Sequence, residues 1–547
     1  MKSAGGRSLR RGVLATLAAI STTRAIRAQE CSTTVTRTGL PSISGAYIRS
    51  VAVRTDAPVS LPVVGSGLAS LRRRTETSIV QRQLLFAPGE RADSARIAET
   101  LRRLRDQRLY ADVALTVKRC TAGDTVDFTV STVDAWTLRP IARVVPPSAV
   151  SIGFEDRNIF GTARLVSIAK EQTMQGRGGS VAATDPWLLG TDLIGAIRFS
   201  DVAGAHLLRA SVRTHEHRVF DPWRVEAAYG RQSFTTSQAL ERPLRSAYLV
   251  ADVGRLIDSS VDGATMAYAG AERDDGRVIS VRGVFPSAPQ ERRRDFEGVD
   301  FSVQHRTARF DTVSWFAAGR GFLDIPSGIQ ADILTGVGKD RVQLATAMRY
   351  DAWAGRIWTP RRGQMFSMDV WTNGFFGKVR GNHIDRFVAG GFLEAPQGFW
   401  AARLQFEELL NLDPDLRSLS LAGIGADPSF AAVPTPMRLA DRALSSNVER
   451  SFHLRPVARA SMLDASLFAA ASLRWDAPLA RSDRLAVAVI GARLRLFSAN
   501  GSFTSTRVDI SYPVASNGSV VHRPLLSISV ASLLDAPRQR DGRRRQQ

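Results

Sequence analysis

His215-Glu216-His217 is where residue type and spacing come nearest to metal chemistry. On an extended strand two imidazoles two residues apart share a face and can hold a metal ion. No third ligand accompanies them, so polar residues lining a sheet interior are the simpler expectation. The chain has only seven histidines, all scattered. It carries no phosphate loop, no HExxH and no nucleophile elbow. No catalytic residue, metal site or cofactor is expected, and the chain does not read as an enzyme. The other reactive pair is Cys31 and Cys120, the two cysteines of the chain. In an exported protein an even pair reads as a disulfide, here closing a loop of about 90 residues.

Export is indicated by the N-terminus. Lys2, Arg7, Arg10 and Arg11 form a cationic region, residues 12–20 a short apolar run, and Ala25-Ile-Arg-Ala28 a small-residue cleavage site. That is a secretory signal spanning 1–28, too short to cross as an anchor. Gln29 and Glu30 stand where a lipobox needs small residues, so Cys31 is not read as a lipidation site.

The chain has 547 residues, 44% hydrophobic and 23% charged, with a mean hydropathy of −0.10. Beyond the signal no apolar run approaches the roughly 18 residues of a spanning helix, which excludes a helical membrane bundle. The net charge of +21 is almost all arginine. These arginines are scattered and form no stripe with aromatics, so no nucleic-acid partner is expected. Arginines inside a polar barrel, or at lipid headgroups, account for the excess.

Two patterns divide the rest. Residues 44 to 137 alternate strand and helix signals. Ala46–Val53 alternates as a half-buried strand. Thr75 caps a helix through Leu85 with Val80 and Leu84 on one face, and Pro88-Gly89 ends it. Asp93 caps a second helix with Ile97, Leu101 and Leu104 on its apolar face. Strands Ala111–Arg119 and Thr125–Val133 follow, giving β-α-α-β-β.

From about residue 145 the helical period disappears, and short alternating segments recur between Gly, Pro, Asp and Asn. Leu208, Ala210 and Val212 oppose Arg209, Ser211 and Arg213. Ala402, Leu404 and Phe406 oppose Arg403, Gln405 and Glu407. Leu494 and Leu496 oppose Arg493 and Arg495, and Leu526, Ile528 and Val530 oppose Ser527 and Ser529. One wholly apolar face per strand suits lipid outside and water inside, and a sheet in lipid must close on itself. At roughly 25 residues per strand and turn, about 16 antiparallel strands are expected.

The stretch Thr75 to Val117, with its Leu-Leu-Phe turn, its Leu-Arg-Arg-Leu helix and Leu109-Tyr-Ala-Asp-Val113 at the start of a strand, resembles a POTRA domain. Ser151-Ile-Gly-Phe-Glu-Asp-Arg-Asn-Ile-Phe-Gly161 resembles the phrase that opens the barrel in the outer-membrane protein assembly and translocation superfamily. Asp185-Pro186-Trp187 is similar to that family too. The resemblance implies a membrane β-barrel preceded by a small α/β POTRA-like domain. It divides the chain into a signal peptide at 1–28, a periplasmic domain at 29–140, an outer-membrane barrel at 145–534 and a basic tail at 535–547.

In that family a loop carrying an Arg-Gly-aromatic phrase folds into the lumen, where its arginine meets acidic residues. The matching loop here has Asp427 followed by Ala431, Ala432 and Val433, without the arginine. Its acidic partners correspond to Glu449 and Asp464. Burying either unpaired costs several kcal/mol, so another arginine is expected to fill in, Arg438 and Arg442 being nearby in sequence. Arg320-Gly321-Phe322 and the Gly390-Gly391 pair are alternative places for the loop.

The resemblance further implies insertion of outer-membrane proteins or translocation of substrates. Extended polypeptide would be captured on an exposed strand edge, Ala111–Arg119 or Ala46–Val53, and the barrel would open at a seam marked by Leu526, Ile528 and Val530. Outer-membrane lipids and accessory periplasmic proteins complete the expected partners. The competing expectation is a passive pore or structural surface barrel that has lost the assembly role, which the missing arginine, the single POTRA-like unit and a last strand ending at Leu533-Leu534 before a basic tail, where the family usually ends on an aromatic, favour.

Overall fold

Period-two alternation builds nearly all of the molecule. The computed structural model describes residues 31–37, 45–57, 74–135 apart from 108 and 121–123, and most of 137–532. The longest undescribed stretches in the last segment are 235–243, 279–291, 314–322, 411–441 and 476–484. The signal segment 1–28, the loop with Asp427, Ala431, Ala432 and Val433, Arg438, the Arg320-Gly321-Phe322 phrase, His217 and the tail 535–547 all lie outside the described residues.

The first elements are β1 (Cys31–Thr36), β2 (Tyr47–Asp56), α1 (Thr77–Gln81), α2 (Ser94–Asp106), β3 (Tyr110–Cys120) and β4 (Thr125–Asp134). The expected β-α-α-β-β order runs from β2 to β4, with β1 added in front. Asp93 caps α2, its Oδ1 accepting from the backbone N–H of Ala95 at 2.8 Å and of Arg96 at 3.4 Å. The helix buries Ile97, Leu101 and Leu104 along one face. Helix α1 ends at Gln81, short of Leu85, whose N–H donates to Thr100 Oγ1 of α2 at 3.1 Å.

The four strands form one sheet in the order β1-β3-β4-β2. This corrects the expectation that Ala111–Arg119 is an edge: β3 lies between β1 and β4. Strand β2 is an edge, and Asp127 of β4 is fastened to it by the side chains of Arg49 and Ser50. The Arg49 guanidinium holds the Asp127 carboxyl down at about 2. The register of β1 and β3 sets Cys31 directly opposite Cys120.

Contacts divide the chain into two units. One comprises 1–54, 81–101 and 113–131, with a core in which Phe86 meets Phe128 edge-on at 5.2 Å. The other comprises 55–80, 102–112 and everything from 132.

The second unit is dominated by a barrel. Its strands begin with β5 (Leu138–Val145), β6 (Ala149–Ile159), β7 (Arg164–Thr173), β8 (Gly176–Asp185) and β9 (Leu193–Val202). They continue with β10 (Ala205–Thr214), β11 (Trp223–Phe234), β12 (Leu244–Ser259), β13 (Gly263–Val278) and β14 (Arg292–Thr307). A separate hairpin follows, β15 (Phe310–Val313) with β16 (Leu323–Pro326). The wall resumes with β17 (Gly328–Asp340), β18 (Ala345–Trp358), β19 (Gln364–Phe376), β20 (Asn382–Ala395) and β21 (Gly398–Leu410). It ends with β22 (Arg442–Ala458), β23 (Ser461–Trp475), β24 (Leu485–Ser498), β25 (Thr504–Ser516) and β26 (Leu525–Ser532).

Among the described residues twenty antiparallel strands close into this barrel, where strand spacing predicts about 16. The spacing estimate fails because many connections are tight, two residues between β9 and β10 and two between β20 and β21, which shortens the repeat to about 20 residues. The barrel also begins at Leu138, before the expected boundary near 145. Gly390 and Gly391 lie inside β20 and not in a loop.

The two faces of the wall differ as the alternation demands. Leu404, Leu494, Ile510 and Val448 point outward and are exposed, while Gln405, Glu407, Arg493 and Asp509 point inward and are buried.

Within the second unit, the end of α2 grips the hairpin. Arg105 forms a two-pronged pair with Asp324 of β16, Nε to Oδ2 at 2.7 Å and Nη2 to Oδ1 at 3.1 Å, and Arg102 lies over the Phe310 ring at 4.3 Å.

Candidate functional site

The strands β22 to β25 carry inward-facing polar residues at period two: Glu449, Ser451 and His453 on β22, Asp464 and Ser466 on β23, Arg493 and Arg495 on β24, Asp509 on β25. Cross-strand register then assembles them. His453 faces Asp464, Asp464 faces Arg495, Ser466 faces Arg493, and Arg493 faces Asp509.

Arg493 is the hub. Its Nε and Nη2 donate to the two Asp509 oxygens at 2.7 and 3.2 Å, and its Nη1 donates to Glu449 Oε2 at 2.5 Å. The guanidinium also lies 4.6 Å from the centre of the Phe468 ring. Arg495 donates from Nη2 to the other Glu449 oxygen and is 1% exposed. Asp464, fully buried, lies 2.9 Å from His453 Nδ1 and accepts from Ser451 Oγ at 3.5 Å.

Three carboxylates thus face two guanidiniums and an imidazole, nearly all buried, in the barrel interior. Glu449 is met by Arg493 and Arg495 and not by Arg442, which is nearer in sequence, while Asp464 is met by His453 and Ser451. Arg442 is engaged elsewhere, its Nε donating to Glu408 at 2.7 Å. Both pairing arginines were legible as the polar face of β24. Their partners were not, because Glu449 lies two strands away and more than forty residues earlier.

A second inward contact spans even more of the wall. Arg349 of β18 pairs with Glu272 of β13, three strands distant along the sheet. Charged groups reaching across the concave face fill the interior at these places with side chains. Chemically, the cluster can cross-link strands but offers no poised nucleophile. Among the described residues no group of three or more His, Cys, Asp or Glu side chains could hold a metal ion. His215 of the sequence pair is buried and lies against the Trp187 ring at 4.8 Å. The Asp185-Pro186-Trp187 phrase shapes the turn after β8, where Asp185 Oδ1 accepts the Trp187 N–H at 2.9 Å.

The Gly153, Asn158 and Gly161 phrase has a tight structural role at the start of the barrel. A Cβ on Gly153 would meet Ile168 O at 2.1 Å, so only glycine allows β6 and β7 to approach there. Asn158 is buried; its Nδ2 donates to Thr75 Oγ1 at 2.8 Å and its Oδ1 accepts from Ala163 N at 2.9 Å. Gly161 has a φ of +78°, and its carbonyl accepts from Glu76 N at 3.0 Å. These bonds fasten residues 75–76 to the turn between β6 and β7, all within the second unit.

Asp134 belongs to the same knot, accepting the Thr75 N–H at 2.5 Å. Burial pushes its carboxyl up from 3.8 to about 6, against the opposing hydrogen bonds from Thr75 and the charge of Arg74. A folded value above the unfolded one means stability is complete below about pH 4 and declines as pH rises through 6. Two units correspond to about 3 kcal/mol. Denaturant titrations at several pH values should therefore show Asp134→Asn more stable than wild type above pH 6 by up to about 3 kcal/mol, with the difference fading towards pH 4. Equal curves for the two proteins would refute the assignment.

No protein-family model matches the chain, and no curated protein matches it. Among solved structures, the chain is similar to BamA from Haemophilus ducreyi lacking POTRA domains 1–3, at 10% identity over 89% of this chain and 84% of that one, with a TM-score of 0.37. It is similar to CdiB from Escherichia coli at 7% identity, over 92% and 80% of the two chains, with a TM-score of 0.40. It is also similar to Pseudomonas aeruginosa OccK2 in complex with glucuronate, at 12% identity over 72% and 96%, with a TM-score of 0.33.

Proposed function

We propose that this chain is a bacterial outer-membrane barrel of the assembly and translocation superfamily, with a POTRA-like N-terminal unit in the periplasm. It receives extended polypeptide and assists its insertion into, or passage across, the membrane. The outward face, apolar from strand to strand, suits lipid.

The observation that carries the reading is the seam. Neighbouring barrel strands are paired over eight residues or more, yet β26 meets β5 through one registered pair, Ile528 with Val144, among the described residues. In a bilayer each lost backbone pairing is costly, so a junction this thin is where the wall opens most easily. The ionic cluster on β22 to β25 stiffens the wall beside it.

Strand β2 supplies the capture edge. Segment 89–92 covers its beginning, with Ile48 N–H donating to Glu90 O at 2.9 Å. Ser50 and Ala52 present their backbone groups on that same edge, beyond the covering segment. A peptide laid there would extend the sheet, and accessory periplasmic proteins could dock in the same way. No cofactor, nucleotide or catalytic step is required.

Photo-crosslinking in living cells tests this, with probes at Ser50 and Ala52 and along β26. Crosslinks to nascent outer-membrane or secreted polypeptides at both places are expected. None at either place, with the protein folded, abundant and steadily conducting in planar bilayers, would instead identify a passive pore.

A further inference from the structure

Among the described residues arginine stacks on tryptophan at three places, all on the outward face. Arg255 lies over Trp223 at 5.4 Å, and the two are register partners on β12 and β11. Arg356 lies over Trp358 at 5.8 Å near the end of β18, and the Trp358 ring stacks on Phe366 at 5.7 Å. Arg450 lies over Trp400 at 5.7 Å and over Phe452 at 4.6 Å, Trp400 and Arg450 again being register partners.

Strand direction puts these pairs at one end of the barrel. Trp223 opens β11, Trp358 closes β18 and Trp400 is the third residue of β21. All three lie at the end where the chain enters β5 at Leu138. Around them the outward face is apolar, with Val225, Val253, Ile257 and Leu454 exposed.

An arginine facing hydrocarbon would be expensive, whereas at the headgroup level an aromatic ring and a guanidinium are both at home. A guanidinium lying over a ring keeps N–H donors for a second partner. Arg450 spends two donors on the carbonyls of Ser451 and Pro396, at 2.8 and 2.6 Å. Among the described residues none of the three arginines has a carboxylate in ion-pair range. At the opposite end His383 Nε2 lies 2.7 Å from Asp385 on the outward face.

We propose that these three Arg–Trp pairs are binding sites for the phosphodiester headgroups of anionic phospholipids in the leaflet at the chain-entrance end of the barrel. The planar N–H edge matches a phosphate in two-pronged fashion, and the ring fixes the guanidinium at headgroup depth. The net charge of +21 biases the protein towards such lipids in the same direction. The proposal rests on the reading of the barrel as membrane-embedded, which flotation with vesicles checks separately.

The test uses the full mature chain, refolded and probed by native mass spectrometry with phosphatidylglycerol or phosphatidylcholine added. Wild type is expected to retain phosphatidylglycerol selectively. Arg255→Gln, Arg356→Gln and Arg450→Gln should each weaken retention about fivefold at one site. Arg450 also supports a turn, so retention by Arg450→Gln is read on barrel that migrates as folded, and Arg450→Lys, which keeps the charge without the planar fork, should recover only part of the binding. Equal retention of the two lipids by wild type, or undiminished phosphatidylglycerol on the folded triple Gln variant, overturns the proposal. If the wild-type barrel fails to float with vesicles, the membrane reading falls along with it.

Discussion

Replacing Glu449 with glutamine is expected to cost the barrel about 3–5 kcal/mol, the usual effect of removing one member of a buried ionic group. Arg493 keeps Asp509, but Arg495 loses the carboxylate to which it donates while remaining buried. A guanidinium cannot shed its proton to escape, so the unbalanced charge is carried by the fold. Removing charge on both sides, as in Glu449→Leu with Arg495→Met, should recover most of the loss, because apolar side chains of similar volume can replace a buried pair at little cost. Urea unfolding in lipid, followed by the mobility difference between folded and unfolded barrel on gels, measures both. A Glu449→Gln barrel within about 0.5 kcal/mol of wild type would show that the cluster does not hold these strands together.

The second large effect concerns the cysteines. Register sets Cys31 opposite Cys120 on adjacent antiparallel strands, where Cα atoms lie about 4.5–5.5 Å apart, within the range a disulfide spans. A bond there closes a loop of about 90 residues and contributes about 4 kcal/mol in the chain-entropy picture. Cys120→Ser, or reduction of the wild type, is therefore expected to lower the stability of the N-terminal sheet by about that amount, loosening β1 first since among the described residues it pairs only with β3. Alkylation under native, non-reducing conditions gives the direct check: two reactive thiols in the folded protein would sink the idea. Loss of β1 would also expose β3, turning a covered strand into a second edge.

Several features were legible before any fold was known, because they are written in short stretches of chain. Ile97, Leu101 and Leu104 fall on one helical face whatever surrounds them, and Asp93 caps that helix through bonds two and three residues away. The alternation that places Leu494 outside and Arg493 and Arg495 inside is local for the same reason: consecutive side chains on a strand point to opposite faces. Gly153, Asn158 and Gly161 are legible in the sequence only as a phrase that resembles the family's barrel entry; the close approach, the buried amide and the positive φ that call for them belong to the folded barrel.

What only the tertiary structure decided is how those strands are counted and matched. The number of strands depends on turn lengths that range from two residues to more than thirty, and no period reveals them. Which strand forms the sheet edge changed when β1 joined β3, through pairings about ninety residues apart in sequence. The partner of Glu449 changed likewise. Proximity in sequence favours Arg442, whereas closure of the wall brings β24 within reach of β22 and gives the carboxylate Arg493 and Arg495. Facing direction is a property of a few neighbouring residues, and the sequence carries it. Partner choice follows from register around a closed sheet, where every strand constrains every other and only the folded whole satisfies them all.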